Sequence, residues 1–379
     1  MEKPLAVAFF LPSLEPGGTE RNVVNLANNI NKQNYVLSLV LGKSEGDFIK
    51  KLNKDISIIS LDATSSLKLF FKLIKYFKEN NPDIFVSAFS RVNIICIVSR
   101  IFSGSKTKII ATEHAVFSFL PVIAKTSGRR FFARFFLPFM AKIIYPKADA
   151  IICVSRGIAD DLLKITHCSK IIKTVYNPVI SESICELTKE PVSHSWFLDQ
   201  KIPLIIAVGR LVKCKDYPTL LNALSLVIKE RPAKLAILGR GPEEIKLKKL
   251  VYDLGLFKNV DFLGFQDNPF KYMSKATVFA LSSLQEGFGN VIIEAMACGV
   301  PVVSTDCPVG PGEIIENGKS GMLTPVGDYK ALAKAILEIL DNSSLAKKLS
   351  EEGFKRAKDF SVKKSVEEYE KVFQELITK

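Results

Sequence analysis

The chain has 379 residues and a formal net charge of +13 at pH 7; 47% of its residues are hydrophobic and 24% are charged. This composition supplies enough apolar material for folded cores and excludes global disorder, and the length suits two domains of roughly 150–200 residues each. No apolar run approaches the roughly 20 residues of a membrane-spanning helix, so we expect a protein that does not cross a bilayer.

The cysteines and histidines indicate neither disulfides nor a metal centre. The seven cysteines are odd in number, scattered and never at C-x-x-C spacing, as is typical of reduced cytosolic thiols, and the three histidines are far apart. Residues 1–12 lack a small-residue cleavage site, so they are predicted to form a buried strand and not a signal peptide. We therefore predict a cytoplasmic protein that binds no metal and no cofactor.

Short apolar runs alternate with amphipathic helical segments, a pattern typical of parallel sheets flanked by helices. In the first half of the chain the predicted strands are 5–11, 35–41, 84–88, 108–112 and 150–154. In the second half they are 204–208, 234–238, 259–263, 277–281 and 300–304. Each half opens with a strand, a glycine turn and a helix.

This alternation predicts an α/β fold with one domain over residues 1–180 and a second over residues 200–360. The interval 176–202 shows little hydrophobic periodicity and is the best candidate for the linker between the two domains. The last segment, 361–379, places seven apolar residues on one helical face, so we expect it to pack against another part of the fold: Val362, Val366, Tyr369, Val372, Phe373, Leu376 and Ile377.

The first glycine turn contains Gly17 and Gly18, between the first strand and its helix. Because glycine has no side chain, a phosphate or sugar could approach the backbone of this turn closely. A tight turn with no binding role would have a similar sequence and is the alternative. The G-x-G-x-x-G fingerprint is absent here, and residues 239–242 lack its final glycine, so NAD binding is disfavoured.

His114 follows the predicted strand 108–112 on its carboxyl side. Open α/β sheets bind ligands at that edge, so His114 is a candidate catalytic residue. A structural role for a lone histidine is the alternative.

The stretch from Phe117 to Tyr145 interleaves aromatic and basic residues. Between Lys106 and Lys147 there are eight basic residues and one acidic residue, a net +7. This pattern suits an anionic membrane surface, where rings enter the interface and cations meet lipid phosphates. Single-stranded nucleic acid could bind the same composition but is disfavoured, and a core helix with a basic outer face is the structural alternative.

The turn after the strand 204–208 contains Gly209, Arg210 and Lys215. Two cations beside a helix N-terminus could hold a diphosphate, since a guanidinium binds phosphate through two hydrogen bonds. Unrelated surface charges are the alternative.

The strongest signal is the segment from Glu286 to Glu294. From Gly287 to Val303, Glu294 is the only charged residue in an apolar stretch, and a carboxylate there needs partners. Asn290 is the predicted N-cap, which places Glu294 in the second helical turn. We expect the carboxylates and the loop amides to bind a sugar, and a glutamate that only stabilises the helix dipole is the alternative. The candidate loop residues are Gly287, Phe288, Gly289 and Asn290.

As a set, these segments resemble glycosyltransferase family four, whose members are retaining enzymes with a GT-B fold. The resemblance runs over most of the chain, and its motifs are 17–21, 112–114, 209–216, the glutamate pair Glu286 and Glu294, 299–303 and 306–308. It implies two facing Rossmann-like domains with a central cleft, and a C-terminal helix that crosses back to the N-terminal domain. Gly312 is a departure, since relatives often have arginine there.

The resemblance also implies roles for the candidate residues. Arg210 and Lys215 hold the donor diphosphate, Glu294 binds the ribose, and Glu286 with the backbone of 287–290 holds the donor sugar. His114 lies beside the reacting carbon. The N-terminal domain binds the acceptor, and the C-terminal domain binds the nucleotide-sugar.

The implied activity is retaining transfer of a hexose or N-acetylhexosamine from a nucleotide-sugar, with UDP as the expected nucleotide. The acceptor is expected to be lipid-linked or a lipopolysaccharide or other glycan, at the inner face of the cell membrane, with no obligatory metal. Another enzyme of the same architecture, such as a sugar-nucleotide epimerase or a phosphorylase, remains an alternative. So does a non-catalytic protein that binds membrane or nucleic acid.

Overall fold

The structure is a computed structural model that describes residues 3–119, 136–199 and 201–378. The chain divides into two compact units. Unit 1 comprises Met1–Pro178 together with Val362–Lys379, and unit 2 comprises Val179–Ser361. Each unit has its own parallel sheet, and each is described here by itself.

Unit 1 begins with strands and helices in alternation. Its strands are β1 (Leu5–Leu11), β2 (Tyr35–Leu41), β3 (Ser57–Ser60), β4 (Ile84–Ala88), β5 (Lys108–Glu113), β6 (Ala150–Cys153) and β7 (Ile172–Thr174). The helices of its first segment are α1 (Gly18–Asn29), α2 (Ser66–Asn80), α3 (Ser90–Ser103), α4 (Leu137–Ile144) and α5 (Arg156–Thr166).

Unit 2 repeats the alternation with a smaller sheet. Its strands are β8 (Leu204–Val208), β9 (Lys234–Leu238), β10 (Val260–Gly264), β11 (Val278–Leu281), β12 (Val302–Thr305) and β13 (Met322–Thr324). Its longer helices are α8 (Tyr217–Glu230), α9 (Glu244–Asp253), α11 (Asn290–Ala297), α13 (Tyr329–Asp341) and α14 (Ser343–Ala357). Its four-residue helices are α6 (Ile184–Leu187), α7 (Ser195–Leu198), α10 (Phe270–Met273) and α12 (Pro311–Ile314).

The strand orders show where each sheet can bind a ligand. In the described residues, unit 1 has the order β3-β2-β1-β4-β5-β6-β7 and unit 2 the order β10-β9-β8-β11-β12-β13, and every pairing is parallel. The chain reverses its direction along the sheet between β1 and β4, and again between β8 and β11. Open α/β sheets bind ligands outside the carboxyl ends of the strands at such points.

The last helix, α15 (Val362–Ile377), belongs to unit 1. Its apolar residues enter the core formed by β1, β2, β4 and α1, where Phe373 meets Tyr35 edge-on with ring centroids 5.5 Å apart. Of the seven apolar residues predicted to share one face, six are buried, and Ile377 is exposed. The prediction that this segment packs back onto the fold is confirmed.

The predicted strands agree with the observed ones to within two residues at each end. Three short strands were missed, namely β3, β7 and β13. Each of them lies at a sheet edge and has four residues or fewer. The interval predicted as a linker contains the boundary between the units, but most of it packs into unit 2, where Ile184, Val192 and Phe197 are buried.

Across the described parts of the chain, no helix combines the length and the hydropathy needed to span a bilayer.

Candidate functional site

The carboxyl ends of β8 and β11 carry the main cluster of candidate residues. β8 and β11 are neighbours in the sheet, so the loops that follow them meet at one edge. The first loop contains Gly209, Arg210 and Lys215 and leads into α8; the second contains Glu286 and leads into α11. The N-termini of both helices therefore point to this edge, where the helix dipole favours anions.

Lys215 and Glu286 form an ion pair in this cluster. Lys215 Nζ donates a hydrogen bond of 2.5 Å to Glu286 Oε1, and the two side chains are only 17% and 11% exposed. The same oxygen accepts a 2.6 Å hydrogen bond from Ser283 Oγ. A largely buried ion pair with an added hydrogen bond holds both charges in fixed positions at the site.

Buried hydroxyl groups brace the two loops against each other. Ser282 Oγ lies 3.0 and 2.8 Å from the carbonyl oxygens of Lys215 and Asp216. Thr305 Oγ1, from β12, donates to the Ser283 carbonyl at 2.6 Å. These hydroxyls could not be predicted from the sequence, because serine and threonine at the end of a strand carry no distinctive pattern.

Arg210 is exposed at the same edge, beside the loop 239–242 that follows β9. The two loops touch through their backbones, since Leu211 N–H donates to the Arg240 carbonyl at 3.0 Å. A Cβ atom on Gly239 would lie 2.0 Å from the Gly209 carbonyl oxygen, so only glycine fits there. Arg240 is exposed as well and adds a cation to this edge that was not predicted from the sequence.

The segment 287–294 forms the start of α11. Its N-cap is Gly289, with φ at 105°, and Asn290 is the first residue of the helix. The prediction that Asn290 is the N-cap is therefore wrong, because the left-handed turn at Gly289 ends the loop one residue earlier. Glu294 lies in the second turn, as predicted, and is buried. Phe288 is buried against Phe360, with ring centroids 5.5 Å apart, while Gly287 and Asn290 are half-buried.

Gly17 and Gly18 lie at the start of α1 in unit 1, beyond the carboxyl end of β1. Gly17 is the N-cap, with extended backbone and no side-chain cap. A Cβ atom on Gly18 would meet no described atom within 4 Å. The surrounding fold therefore does not require glycine at position 18.

His114 lies directly beyond the carboxyl end of β5 and is partly buried. Thr112 Oγ1 lies 3.1 Å from its Nε2 atom, and the Phe89 ring lies 6.4 Å from the imidazole, centroid to centroid. Desolvation lowers the pKa of His114 from 6.5 to about 4. At neutral pH the ring is therefore uncharged and can act as a hydrogen-bonding group but not as a fixed cation.

Glu113, the residue before His114, is fully buried in a polar network. Its carboxyl group accepts 2.7 Å hydrogen bonds from Ser90 Oγ and Asn93 Nδ2, and another from the Tyr145 hydroxyl. Asn93 Nδ2 also donates to the Thr112 carbonyl at 2.9 Å. Burial raises the pKa of Glu113 from 4.5 to about 7, although the three donors lower it. The network joins the end of β5 to α3 and to the residue that follows α4.

The described residues include only part of the segment that is predicted to bind a membrane, and they limit what can be said of metal sites. Of the segment from Phe117 to Tyr145, residues 120–135 lie outside them. In the rest of that segment, Phe136, Phe139 and Ile143 are exposed. Within the three described ranges, no group of three or more His, Cys, Asp or Glu residues could hold a metal ion.

The structure thus gathers Gly209, Arg210, Lys215, Glu286 and Glu294 at one edge of the sheet in unit 2. His114, Gly17 and Gly18 lie at the corresponding edge of the sheet in unit 1, beyond β5 and β1. Their roles in binding and catalysis remain predictions.

Comparison with known proteins agrees with this architecture. Residues 16–183 match the family model described as Glycosyltransferase Family 4, and residues 189–356 match the one described as Glycosyl transferases group 1. The structure matches a crystal structure of Anabaena HepE in complex with UDP-glucose, with a TM-score of 0.80 and 21% identity over 99% of this chain and 100% of that one. The shared fold confirms the predicted GT-B class.

Two curated relatives come from Campylobacter jejuni. One is N-acetylgalactosamine-N,N'-diacetylbacillosaminyl-diphospho-undecaprenol 4-alpha-N-acetylgalactosaminyltransferase, 30% identical over 93% of this chain and 95% of its own length. The other is GalNAc-alpha-(1->4)-GalNAc-alpha-(1->3)-diNAcBac-PP-undecaprenol alpha-1,4-N-acetyl-D-galactosaminyltransferase, 29% identical over 98% of this chain and 99% of its own length. With a match of this identity and coverage, the chain belongs to glycosyltransferase family four, the group 1 glycosyltransferases.

Proposed function

We propose that this protein transfers a hexose or N-acetylhexosamine, with retention of configuration, from a UDP-sugar to a lipid-linked or other glycan acceptor at the inner face of the cell membrane. The observation that carries the proposal is the cluster of Arg210, Lys215 and Glu286 where β8 and β11 end side by side. The names of the Campylobacter relatives support the lipid-linked acceptor, and the UDP-glucose complex of the structural neighbour supports the donor class.

The cluster suits the chemistry of a nucleotide-sugar. The reaction breaks the bond between the anomeric carbon and the diphosphate, so negative charge develops on the leaving phosphate oxygen. Arg210 and Lys215, beside the N-terminus of α8, supply positive charge for that oxygen without reorganisation. The ion pair with Glu286 fixes the Lys215 ammonium group and leaves two of its three N–H groups for the ligand.

Retention requires that the acceptor oxygen attacks on the face from which the diphosphate leaves. The new bond joins the acceptor oxygen to the anomeric carbon, and the acceptor proton passes to the departing phosphate oxygen. Glu286 and the backbone of 287–290 would hold the donor sugar, and Glu294 the ribose. His114, neutral at physiological pH, would donate or accept a hydrogen bond to a bound substrate.

Removal of either cation tests the proposal. Arg210→Ala and Lys215→Ala are each expected to lower kcat about 10²–10³-fold, the loss typical of a fixed charge or donor that stabilises a developing anion. Lys213→Ala is the matched control, since Lys213 is an exposed cation in the same loop. A thermal-shift screen of nucleotide-sugars, followed by mass spectrometry of lipid-linked products, would identify the substrates for the assay. Near-wild-type turnover by both variants would refute the proposed role of Arg210 and Lys215 in binding the diphosphate.

We also propose that catalysis needs no metal ion, because the two cations provide the charge that Mg²⁺ supplies in other phosphate sites. The rate is expected to stay largely unchanged when EDTA is added. Loss of activity in EDTA, followed by recovery on addition of a divalent cation, would contradict this proposal.

Membrane association is the remaining part of the proposal. In the described part of the segment from Phe117 to Tyr145, Phe139 and Ile143 are exposed on α4, and Lys142 is exposed beside them. Apolar side chains next to a cation suit the interface of an anionic bilayer.

A further inference from the structure

Helices α2 and α3 of unit 1 present an exposed apolar surface that was not predicted from the sequence. Leu67 and Phe71 on α2 are 68% and 60% exposed, and Phe102 on α3 is 69% exposed. Phe70 joins them, since its ring centroid lies 5.2 Å from that of Phe71 and 5.7 Å from that of Phe102. We call Leu67, Phe70, Phe71 and Phe102 the α2–α3 patch.

The patch is part of the fold, because its backbone is held in place. Leu69, Leu73 and Phe77 anchor α2 in the core, and Ser99 Oγ on α3 donates to the Phe70 carbonyl at 3.3 Å. The exposed rings therefore belong to helices whose positions are fixed by the core. Contiguous exposed aromatic groups of this kind mark an interaction surface.

The charges around the patch point to its partner. From Ser66 to Asn80, α2 has four lysines and one glutamate, Glu79, which lies at the far end. Lys68 and Lys72 are exposed and lie four residues apart, as Leu67 and Phe71 do, so a row of cations runs beside the row of apolar groups on the helix surface. The apolar cores of protein interfaces are depleted of lysine, whereas lysines at a bilayer extend to the lipid phosphates while neighbouring rings enter the interface.

The topology places α4 on the same face of the sheet. The connections β3 to β4, β4 to β5 and β5 to β6 all run in one direction along the sheet, and right-handed crossovers then put their helices on one face. α3 packs against both α2 and α4. The exposed Phe139 and Ile143 of α4 therefore share this face with the α2–α3 patch.

We infer that the α2–α3 patch docks on an anionic phospholipid bilayer, with Leu67, Phe71 and Phe102 entering the interface and Lys68 and Lys72 contacting lipid phosphates. This inference extends the proposed membrane association to a new surface and does not depend on the donor site.

Vesicle flotation with the full chain tests the apolar contribution. Wild-type protein is expected to float with vesicles of phosphatidylcholine and phosphatidylglycerol, and less with phosphatidylcholine alone. Leu67→Ser/Phe71→Ser is expected to weaken this binding at least about tenfold, since two apolar anchors are lost. Ile245→Ser/Tyr252→Ser on α9 is the matched control and should bind as the wild type does, because these side chains are 84% and 74% exposed but lie on unit 2.

A second pair of variants tests the charges without removing apolar groups. Lys68→Glu/Lys72→Glu is expected to abolish the preference for phosphatidylglycerol and the dependence on salt. Lys249→Glu/Lys334→Glu makes the same change in charge at exposed sites of unit 2 and should keep both properties.

Fluorescence reports insertion directly, because the chain has a single tryptophan, Trp196. Phe102→Trp in a Trp196→Phe background is expected to be quenched by lipids with brominated acyl chains, while Ile245→Trp in the same background is not. A thermal shift with UDP on every variant separates loss of vesicle binding from damage to the donor site.

Three outcomes would overturn the inference. The first is wild-type protein that does not bind anionic vesicles, and the second is a Leu67→Ser/Phe71→Ser variant that binds them as well as its control. The third is a wild-type dimer that this variant converts to a monomer, since a second copy of the chain would then cover the patch. None of these outcomes would contradict the proposed transferase activity if UDP binding and turnover persist.

Discussion

Glu113 and His114 are neighbours whose neutral forms are both favoured by burial. The pKa of Glu113 rises from 4.5 to about 7, and that of His114 falls from 6.5 to about 4. Below pH 4.5 the glutamic acid is protonated in the folded and unfolded states alike. As the pH rises towards 7, the unfolded chain loses this proton first, so the folded state loses stability. For His114, stability is lost in the opposite direction, as the pH falls from 6.5 to 4.

Single substitutions separate these two effects. The stability of wild type relative to Glu113→Gln is expected to fall between pH 4.5 and 7, by at most about 3 kcal/mol, and to stay constant above that range. The stability of wild type relative to His114→Asn is expected to rise between pH 4 and 6.5. Urea unfolding at a series of pH values measures both differences. If the difference in unfolding free energy between wild type and Glu113→Gln did not change with pH, the raised pKa of the buried carboxyl group would be contradicted.

At the residue scale, the sequence predicted the candidate residues better than their contacts. Lys215 and Glu286 were assigned separate roles, and their ion pair joins positions 71 residues apart. That contact depends on β8 and β11 being neighbours, which local pattern does not reveal. Glu113 was not predicted as a buried group, although only Thr112 separates it from the apolar run Ile109-Ile110-Ala111. Glu294 was predicted as a site residue because it lies in a similar apolar stretch.

At the scale of elements, the buried strands were predicted from the sequence, and the short strands at the sheet edges were not. Strands such as β1 and β8 are apolar runs with buried sides, and hydrophobic pattern alone located them. β3 reads Ser-Ile-Ile-Ser and is largely exposed at a sheet edge, so neither its length nor its composition distinguishes it from a loop. The helix α15 was predicted as a packing element because its apolar face is continuous. Its partner, the N-terminal domain, was implied only by the family resemblance, and the structure places α15 in unit 1.

The packing of α15 makes its energetic role testable. Phe373 is fully buried against Tyr35 and Tyr369, so Phe373→Ala is expected to lower the free energy of unfolding by about 3–5 kcal/mol. Lys371→Ala, an exposed change on the same helix, should cost less than about 0.5 kcal/mol. Chemical denaturation measures both values. Equal stabilities of the two variants would show that α15 contributes little to the core of unit 1.

At the scale of the whole molecule, the candidate residues divide between two units of similar design. Both units place their candidates at the carboxyl edge of a parallel sheet, close to the point where the strand order reverses. Length and the repeated pattern of strand, glycine turn and helix were enough to predict two such units. The boundary at Pro178 and Val179 was harder to predict, because residues 184–198 form short helices without a long amphipathic period.

The discontinuity of unit 1 has a consequence for the order in which the protein matures. A ribosome releases β1 to β7 first, then all of unit 2, and only afterwards α15, which belongs to the first sheet. Until then, the side of that sheet which α15 covers is open to water in the nascent chain. Unit 2 is continuous in sequence and is complete before α15 is made, so it can reach its native state before unit 1, although synthesis of unit 1 begins first.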